Sequence, residues 1–390
     1  MKTVIIGSGP SGLFTAINAK DDNNEVVVLE KNNVLGKKIL VTGSGKCNYW
    51  NDNQSIEKYH SRSSNEIDKI ICDENLQSTL SILDEMIIPY IKDGYYYPFS
   101  REAASVRDIL VNKCIEKGVV FKENYKVNKV EKINKKFIIN DELEADKLVV
   151  STGSLAYYQD ENISGIEIAK SFGHKIIKPL PSLVQLVSND KGLKDWEGVR
   201  SFAKVSLFSN GNIIKEEYGE VMLTNYGLSG ICVMNLSNEA NKLLDDNKEV
   251  NVHIDFAHNI DLDKIFKMNT DVNSALKSFL NSRLVRKILK ESNIDNKKIN
   301  ELTQEEKDRL IDLITDYKVN IVTTKGFKEA QVVSGGVSLE DINLDNMEST
   351  LIPNLYFTGE VLDIDGDCGG YNLTISFVSG YLAGRDIKND

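Results

Sequence analysis

The sequence predicts a doubly wound α/β fold that carries an inserted β-rich and helical unit. Three observations predict it. An apolar run, Thr3-Val4-Ile5-Ile6, breaks into Gly7-Ser8-Gly9-Pro10-Ser11-Gly12. A second run, Val26-Val27-Val28-Leu29, ends in Glu30. A third, Leu355-Tyr356-Phe357, runs into Thr358-Gly359-Glu360 far along the chain. Short unbroken apolar runs bounded by glycine read as strands buried on both faces, as in a parallel sheet covered by helices.

Bulk properties narrow the class. The 390 residues suffice for two or three domains. Lysine plus arginine number 47 against 58 acids, a net charge of −11, which argues against a whole-surface nucleic-acid binder, so no DNA partner is expected. The five cysteines, Cys47, Cys72, Cys114, Cys232 and Cys368, form no CxxC pair, so neither a disulfide framework nor a metal site is expected. Val4-Ile5-Ile6 is too short for a signal segment, and no run approaches the roughly 20 apolar residues of a membrane span. A reduced, cytoplasmic protein without membrane contact is expected.

Each element follows in order. Strand 3–6 leads through the glycine turn into a helix from Pro10, then into strand 26–29. Helical periodicity covers residues 67–86 and 103–117, and short strands are expected at 118–121, 125–130, 136–140 and 148–151. Beyond Pro179 and Pro181 the pattern changes. Ala203, Val205 and Leu207 alternate with polar residues up to Asn210-Gly211, and the run resumes at Ile213, a hairpin signal. A strand at 219–224 and another at 250–256 follow, then a helical block over 262–317. The expected division is a first domain at 1–185 and 334–390, interrupted by a β-rich domain at 186–260 and 319–333 and a helical subdomain at 261–318. Gly369-Gly370-Tyr371-Asn372 opens the last helix.

The first glycines and Glu30 have a joint chemical reading. Gly7 permits the tight turn, Gly9 lets backbone approach a pyrophosphate, and Gly12 lets helix pack on strand. A helix starting at Pro10-Ser11 points unpaired N–H groups and its positive dipole end at the phosphates. Glu30 stands where a carboxylate accepts from both ribose hydroxyls, which disfavours a 2′-phosphate and hence NADP in this place. The fingerprint alone does not separate NAD from FAD. The distant Thr358-Gly359-Glu360 and the backbone N–H groups of Tyr371, Asn372 and Leu373 offer the second donor set that a flavin ring requires.

At this point the sequence resembles a known family. Gly43-Ser44-Gly45-Lys46-Cys47-Asn48, Ser334-Gly335-Gly336-Val337-Ser338-Leu339, Tyr226-Gly227-Leu228-Ser229-Gly230 and the stretch from Leu355 to Asn372 are similar to elements of the aminoacetone-oxidase-like FAD-binding flavoproteins. That family also takes in bile-acid dehydro-reductases and ribosomal-RNA dihydrouridine synthases. The resemblance spans essentially the whole chain. It implies a discontinuous, glutathione-reductase-like FAD domain with inserted β-rich and helical domains. It implies that Gly7, Gly9, Pro10, Ser11, Gly12, Glu30 and Lys31 hold the ADP half, with backbone at Val127 near adenine and Thr152-Gly153 at the phosphate turn. Gly359, Glu360, Gly370 and the Tyr371, Asn372 and Leu373 backbone would hold the flavin end, with the loop Thr42, Gly43, Gly45, Cys47, Asn48 beside the ring; Lys37, Lys38 and Lys46 flank that loop, where they suit a phosphate, an anionic flavin, an anionic substrate or a solvated basic face. This chain departs from the family at Ser154 and at Tyr157-Tyr158-Gln159-Asp160-Glu161-Asn162, where a glycine-rich loop is common, and at Tyr95, where many members carry arginine.

Candidates for chemistry are few. Cys47 has no partner cysteine nearby, so a dithiol relay is excluded, although Cys47 could face Cys368 across the ring. Tyr97 is a further candidate, since the aromatics of Tyr95-Tyr96-Tyr97-Pro98 suit stacking on a planar substrate, shielding of the flavin or a plain strand-edge core. Arg283, Arg286, Lys287, Lys290, Lys297 and Lys298 make a basic helical stretch that suits either a solvated face or RNA. No second glycine fingerprint is present, so the flavin would be reduced by transiently docking NADH or NADPH or by the substrate itself. The expected activity is an FAD-dependent reductase passing hydride to a conjugated C=C of a small-molecule or RNA substrate, uracil in ribosomal RNA included. An oxygen-using amine oxidase and a non-catalytic flavin-binding partner protein are the alternatives.

Overall fold

The computed structural model describes residues 1–157 and 164–390, so residues 158–162 of the departing loop lie outside the described residues. The chain divides into two compact units, Met1–Pro179 with Val332–Asp390, and Leu180–Gln331.

The first unit is built on β1 (Lys2–Ile6), α1 (Pro10–Ala19), β2 (Glu25–Leu29), α2 (Ala103–Glu116), β3 (Val120–Lys122), β4 (Lys147–Val150), β5 (Leu355–Phe357) and α3 (Tyr371–Asn389). Five strands run parallel in the order β3-β2-β1-β4-β5, and the short antiparallel strands Glu348–Ser349 and Ile342–Asn343 extend the β5 edge. The register sets Ile6 opposite both Leu29 and Val150, and Val150 opposite Phe357. Four strands therefore end at one level, and the loops that follow them gather along one edge of the sheet. Val4, Ile5 and Ile6 are at most 5% exposed. Full burial of each such side chain is worth about 1.5–3 kcal/mol. Helices α1 and α3 pack closely because glycine stands at the crossing. A Cβ at Gly380 would lie 2.7 Å from the Ser11 carbonyl oxygen, and Phe14 meets Phe377 edge-on at 5.2 Å.

Two expected elements are shorter than their periodicity. Residues 67–86 split into a turn at Ile67–Lys69 and a helix at Asp73–Asp84. The Asn75 side-chain amide donates to the carbonyls of Lys69 and Ile70 and closes the intervening turn. The strand expected over 125–130 begins only at Val130. Asn140 Oδ1 accepts from the backbone N–H of Asn128 and Lys129, which removes those donors from a ladder.

The second unit is a seven-stranded antiparallel sheet whose long hairpin joins Val199–Ser209 to Asn212–Leu223. Asn210 and Gly211 turn with φ +51° and +78°, as a two-residue hairpin of type I′ requires. The separate strand expected at 219–224 is the continuation of Asn212–Leu223. Helices Ile231–Asp245, Leu262–Phe266, Val272–Lys277, Ser282–Ser292 and Gln304–Thr315 belong to the same unit, and Trp196, Val205, Leu284 and Ile288 share one core. The basic stretch is largely spent internally. Lys287 is 3% exposed, lies over the Trp196 ring and pairs with Glu291, while Lys290 pairs with Asp195 and Lys297 with Glu306. Among the described residues no helix is long and apolar enough to cross a membrane.

Candidate active site

The C-terminal edge of a parallel sheet is where such folds bind ligands, because loops diverge there and helix N-termini point in. In the first unit the loops after β1, β2, β4 and β5 meet at this edge. Gly7 has φ +105°, and a Cβ on it would lie 2.3 Å from the Ser151 carbonyl oxygen, so the fold itself demands glycine. Gly12 is equally constrained, since its Cβ would lie 2.0 Å from the Gly7 oxygen. Gly9 differs. Its φ is −67°, open to any residue, and nothing lies within 4 Å of a Cβ built on it. Neither packing nor φ demands a glycine there. Gly9 also caps α1, which starts at Pro10 with no side-chain cap. The first-turn N–H groups thus face the same opening.

Glu30 is 7% exposed and its carboxylate is fully engaged. Oε2 accepts from the Ser8 N–H at 3.1 Å and the Ser8 hydroxyl at 2.5 Å. Oε1 accepts from the Asn32 N–H at 2.9 Å and the Asn32 amide at 2.7 Å. The acid is held on the rim of the Gly9 opening, and Asn32 already occupies part of the acceptor capacity expected for ribose. Tyr125 N–H bonds the Glu30 carbonyl at 2.8 Å, which carries the chain past Glu30 to buried Val127. Lys31 is exposed beside it.

Across the edge, Lys38 and Ser154 both meet Glu360 Oε2, Lys38 as an ion pair with the two side chains 19% and 14% exposed, and Ser154 at 3.2 Å. Three loops distant in sequence thus converge on one carboxylate. A Cβ on Gly153 would lie 4.0 Å from the same oxygen. Thr152 Oγ1 is buried without a hydrogen-bond partner among the described residues. Ser11 binds the two chain ends together, its hydroxyl donating to the Thr358 carbonyl at 3.3 Å, and Gly359 packs on the Ser11 side chain.

The start of α3 forms the far wall. Gly370 caps the helix with φ +99°, and a Cβ there would lie 2.7 Å from the Trp50 carbonyl oxygen. Tyr371 and Asn372 present their backbone N–H groups at this end. The Leu373 N–H, expected to serve as well, instead donates to the Gly370 carbonyl at 3.1 Å. The Asn372 side chain clamps the preceding ribbon, accepting from Gly366 N–H at 2.9 Å and donating to the Gly366 carbonyl at 2.8 Å. Beside Gly369 stands the three-stranded sheet Trp50–Asn51, Tyr95–Pro98 and Pro89–Lys92, with Tyr95–Pro98 in the middle. Tyr97 lies opposite Tyr90 there, half-buried, and burial raises the proton affinity of the Tyr95 and Tyr97 hydroxyls.

The cysteines are not redox partners. All five are free thiols, so Cys47 and Cys368 form no disulfide. Cys47 is wholly buried at the end of the exposed loop carrying Gly43 and Gly45, and its N–H donates to the Thr42 carbonyl at 3.1 Å. Burial pushes its thiol up to about 12. Cys368 is pushed to about 11 by burial and by Asp367. The amide of the adjoining Asn48 lies within reach of the Trp50 and Tyr96 carbonyls.

Sequence reasoning missed one constellation. Tyr59–His60 pairs antiparallel with Asp365–Gly366, His60 opposite Asp365. Asp363, Asp365 and Asp367 are 1%, 2% and 3% exposed. His60 Nε2 lies 2.9 Å from Asp367 Oδ1, Lys58 Nζ lies 3.3 Å from its Oδ2, and the Arg62 N–H donates to Asp363 Oδ2 at 2.9 Å. The signal was present as two period-2 runs of opposite charge, Lys58-x-His60-x-Arg62 and Asp363-x-Asp365-x-Asp367.

This fold and this edge define an FAD-dependent oxidoreductase with a Rossmann domain. More narrowly, the chain belongs to the family described as HI0933-like protein Rossmann domain, which matches residues 1–386. A 3-dehydro-bile acid delta(4,6)-reductase of Clostridium scindens is 32% identical over 398 residues, covering 98% of this chain and 97% of the relative. A ribosomal RNA dihydrouridine synthase of Escherichia coli is 25% identical over 399 residues, covering 98% and 97%. Among solved structures, 3-ketosteroid-delta4-(5alpha)-dehydrogenase of Rhodococcus jostii shares the fold with a TM-score of 0.51 at 15% identity, covering 100% of this chain and 96% of that one.

Proposed function

We propose that this protein binds FAD along the edge described above and uses it to reduce a conjugated C=C bond of a planar small molecule, with NADH or NADPH docking transiently as the reductant. The observation that carries the reading is the full-length match, at 32% identity, to a relative named as a reductase of a dehydro-bile acid. The residues fit the cofactor. Gly9 leaves open the room a pyrophosphate takes, α1 and α3 both start on a glycine with no side-chain cap, and Lys38, Ser154 and Glu360 offer charge and hydrogen bonds between them. Bound there, the flavin would supply the hydride. The chain's own groups would orient the ring and shield it, with the N–H groups of Tyr371 and Asn372 favouring negative charge at its pyrimidine side.

A fused-ring enone suits the half-buried tyrosine face formed by Tyr90, Tyr95 and Tyr97 beside Gly369. A ribosomal-RNA uracil is the second reading, favoured by the relatives named as dihydrouridine synthases. The basic stretch that would favour RNA is taken up by internal pairs at Lys287, Lys290 and Lys297, so the small molecule leads. The test is anaerobic. Holoprotein is reduced with NADPH or NADH, then mixed with a 3-keto-4,6-diene steroid acid or with a uracil-containing rRNA fragment. Reoxidation by the enone is the expected result. Reoxidation only by RNA would move the substrate to the second reading, and bleaching by a small amine with no nicotinamide would replace both with an oxidase.

A further inference from the structure

We infer that Arg101 selects the substrate of this reduction by receiving a carboxylate on it, at the outer part of an apolar strip whose inner end lies beside Gly369; the inference rests on the reductase reading above. The strip is one face of the small sheet described with the site. Residues two apart on a strand share a face, and so do residues directly opposite on antiparallel neighbours. Tyr95 lies opposite Lys92, and Tyr97 opposite Tyr90. The Phe99 N–H donates to the Ile88 carbonyl at 2.8 Å, which carries the ladder one step further and adds that pair to the same face. Ile88 and Phe99 are 76% and 69% exposed, more than any other large apolar side chain among the described residues. Exposed apolar side chains that stand together, and not singly, mark a surface built to be covered.

Three features identify the occupant. The strip begins at the cofactor edge. A Cβ on Gly369 would lie 3.0 Å from the Tyr95 ring and 3.1 Å from the Tyr371 ring, and Asn51, opposite Tyr95, donates to the Gly369 carbonyl at 2.9 Å. The strip is long and narrow, since Tyr95 to Phe99 spans about 13 Å of strand. It also carries a cation. The Arg101 guanidinium stands over the Tyr90 ring, 5.1 Å from its centre. Its charge reaches the Tyr97 hydroxyl, where burial raises the proton affinity and the guanidinium lowers it. No carboxylate pairs with Arg101 among the described residues, whereas Lys58, Lys287, Lys290 and Lys297 are each held by an acid. A guanidinium stacked on a ring keeps its planar fork of N–H donors for a carboxylate. Lys92 is the other cation on this face, but it stands opposite Tyr95, at the Gly369 end.

An elongated apolar acid therefore fits in one direction, with its reducible bond at Gly369 and the start of α3 and its carboxylate at Arg101. The two groups must lie about 7 Å or more apart, the spacing of Tyr95 and Tyr97 along the strand. The turn itself does not ask for arginine. Arg101 has φ +58°, and its backbone N–H donates to the Pro98 carbonyl at 2.7 Å. Asparagine adopts that left-handed conformation more readily. Arg101→Asn thus removes the charge and keeps the turn.

The experiment uses holoprotein: wild type, Arg101→Asn, Arg101→Gln, Lys92→Gln and Phe99→Ala. Each is photoreduced without oxygen and mixed with rising concentrations of a 3-keto-4,6-diene steroid acid or of its methyl ester. Flavin reoxidation gives a half-saturating concentration and a maximal rate. For the acid, both Arg101 variants should raise half-saturation about 10-fold at an unchanged maximal rate, the loss of one charge-assisted contact remote from the reacting bond. For the ester they should change nothing. Phe99→Ala should weaken acid and ester alike, about 3-fold or more. Arg101→Asn should melt no lower than wild type, so that a folding defect does not imitate the effect. Equal half-saturation by acid and ester in wild type overturns the assignment and leaves the reductase reading intact. So does discrimination that survives both Arg101 variants, or that is lost in Lys92→Gln alone. A wild type that sediments as a dimer and becomes monomeric in Phe99→Ala also overturns it, because a second copy would then cover the strip. Reoxidation by an rRNA fragment that weakens in the Arg101 variants while the acid is unaffected overturns it in favour of a phosphate backbone. A wild type that neither acid nor ester reoxidises sinks the reductase reading, and the assignment falls with it.

Discussion

Gly9→Ala and Gly12→Ala separate the demands of the fold from the demands of a ligand. At Gly12 a Cβ would sit 2.0 Å from a backbone oxygen, a collision only a shift of α1 relieves. Overpacking of that kind costs about 1–3 kcal/mol or more, so the apoprotein melts several degrees lower. At Gly9 the Cβ meets nothing within 4 Å and φ is −67°, so two small terms oppose each other. Alanine restricts the unfolded chain, a gain of about 0.4–1 kcal/mol, and is a poorer N-cap than glycine by about the same amount. Apoprotein stability therefore stays within about 1 kcal/mol of wild type. FAD affinity does not. Pushing a pyrophosphate off the helix N-terminus removes one charge-assisted hydrogen bond, about 1.5–3 kcal/mol, or about 10–100-fold in Kd. Urea melts of the apoproteins and quenching of flavin fluorescence on titration read the two quantities separately. Gly9→Ala binding FAD as tightly as wild type would refute the placement of the pyrophosphate.

Other perturbations follow from the same geometry. A double-mutant cycle of Lys38→Met and Glu360→Gln, read by FAD affinity and by melting, should show coupling of about 0.5–3 kcal/mol, since both side chains are largely buried; additivity would mean that the pair is not formed in solution. Cys47, at about 12 against an ordinary 9.0, should react with iodoacetamide at pH 8 about a thousandfold more slowly than an exposed thiol, and rapid labelling of Cys47 in mass-spectrometric mapping would contradict its burial. In the second unit, Lys297 and the Thr303 cap hold Glu306 down at about 2 from 4.5. That carboxylate's contribution is complete above pH 4.5 and is lost as pH falls toward 2, so Glu306→Gln should flatten the acid limb of the melting curve between those values. An unchanged acid limb would rule the contribution out.

Much of the fold was legible because its signals are local. Buried strands such as 3–6 and 26–29, the Asn210-Gly211 hairpin and the glycine turn each state their geometry within a few residues. Element ends were not legible where a side chain from elsewhere intervened, as Asn75 does at Ile70 and Asn140 at Asn128. The site divides the same way. Gly7, Gly9, Gly12 and Glu30 read directly from spacing. The meeting of Lys38, Ser154 and Glu360 depends on loops 116 to 322 residues apart in sequence, and no window of sequence contains it. The basic stretch left a solvated face and an RNA contact both open, because two of the acids that pair with it, Asp195 and Glu306, come from other segments, while Glu291 lies four residues after Lys287 on the same helix.

One anaerobic titration bears on the central claim most directly: apoprotein loaded with FAD, reduced by a nicotinamide, then challenged with a conjugated enone, the visible flavin absorbance being followed throughout. One FAD bound per chain, bleached by NADH or NADPH and restored by the enone, is the expected result. A chain that stays colourless in excess FAD, or a bound flavin that neither donor nor enone alters, would contradict it.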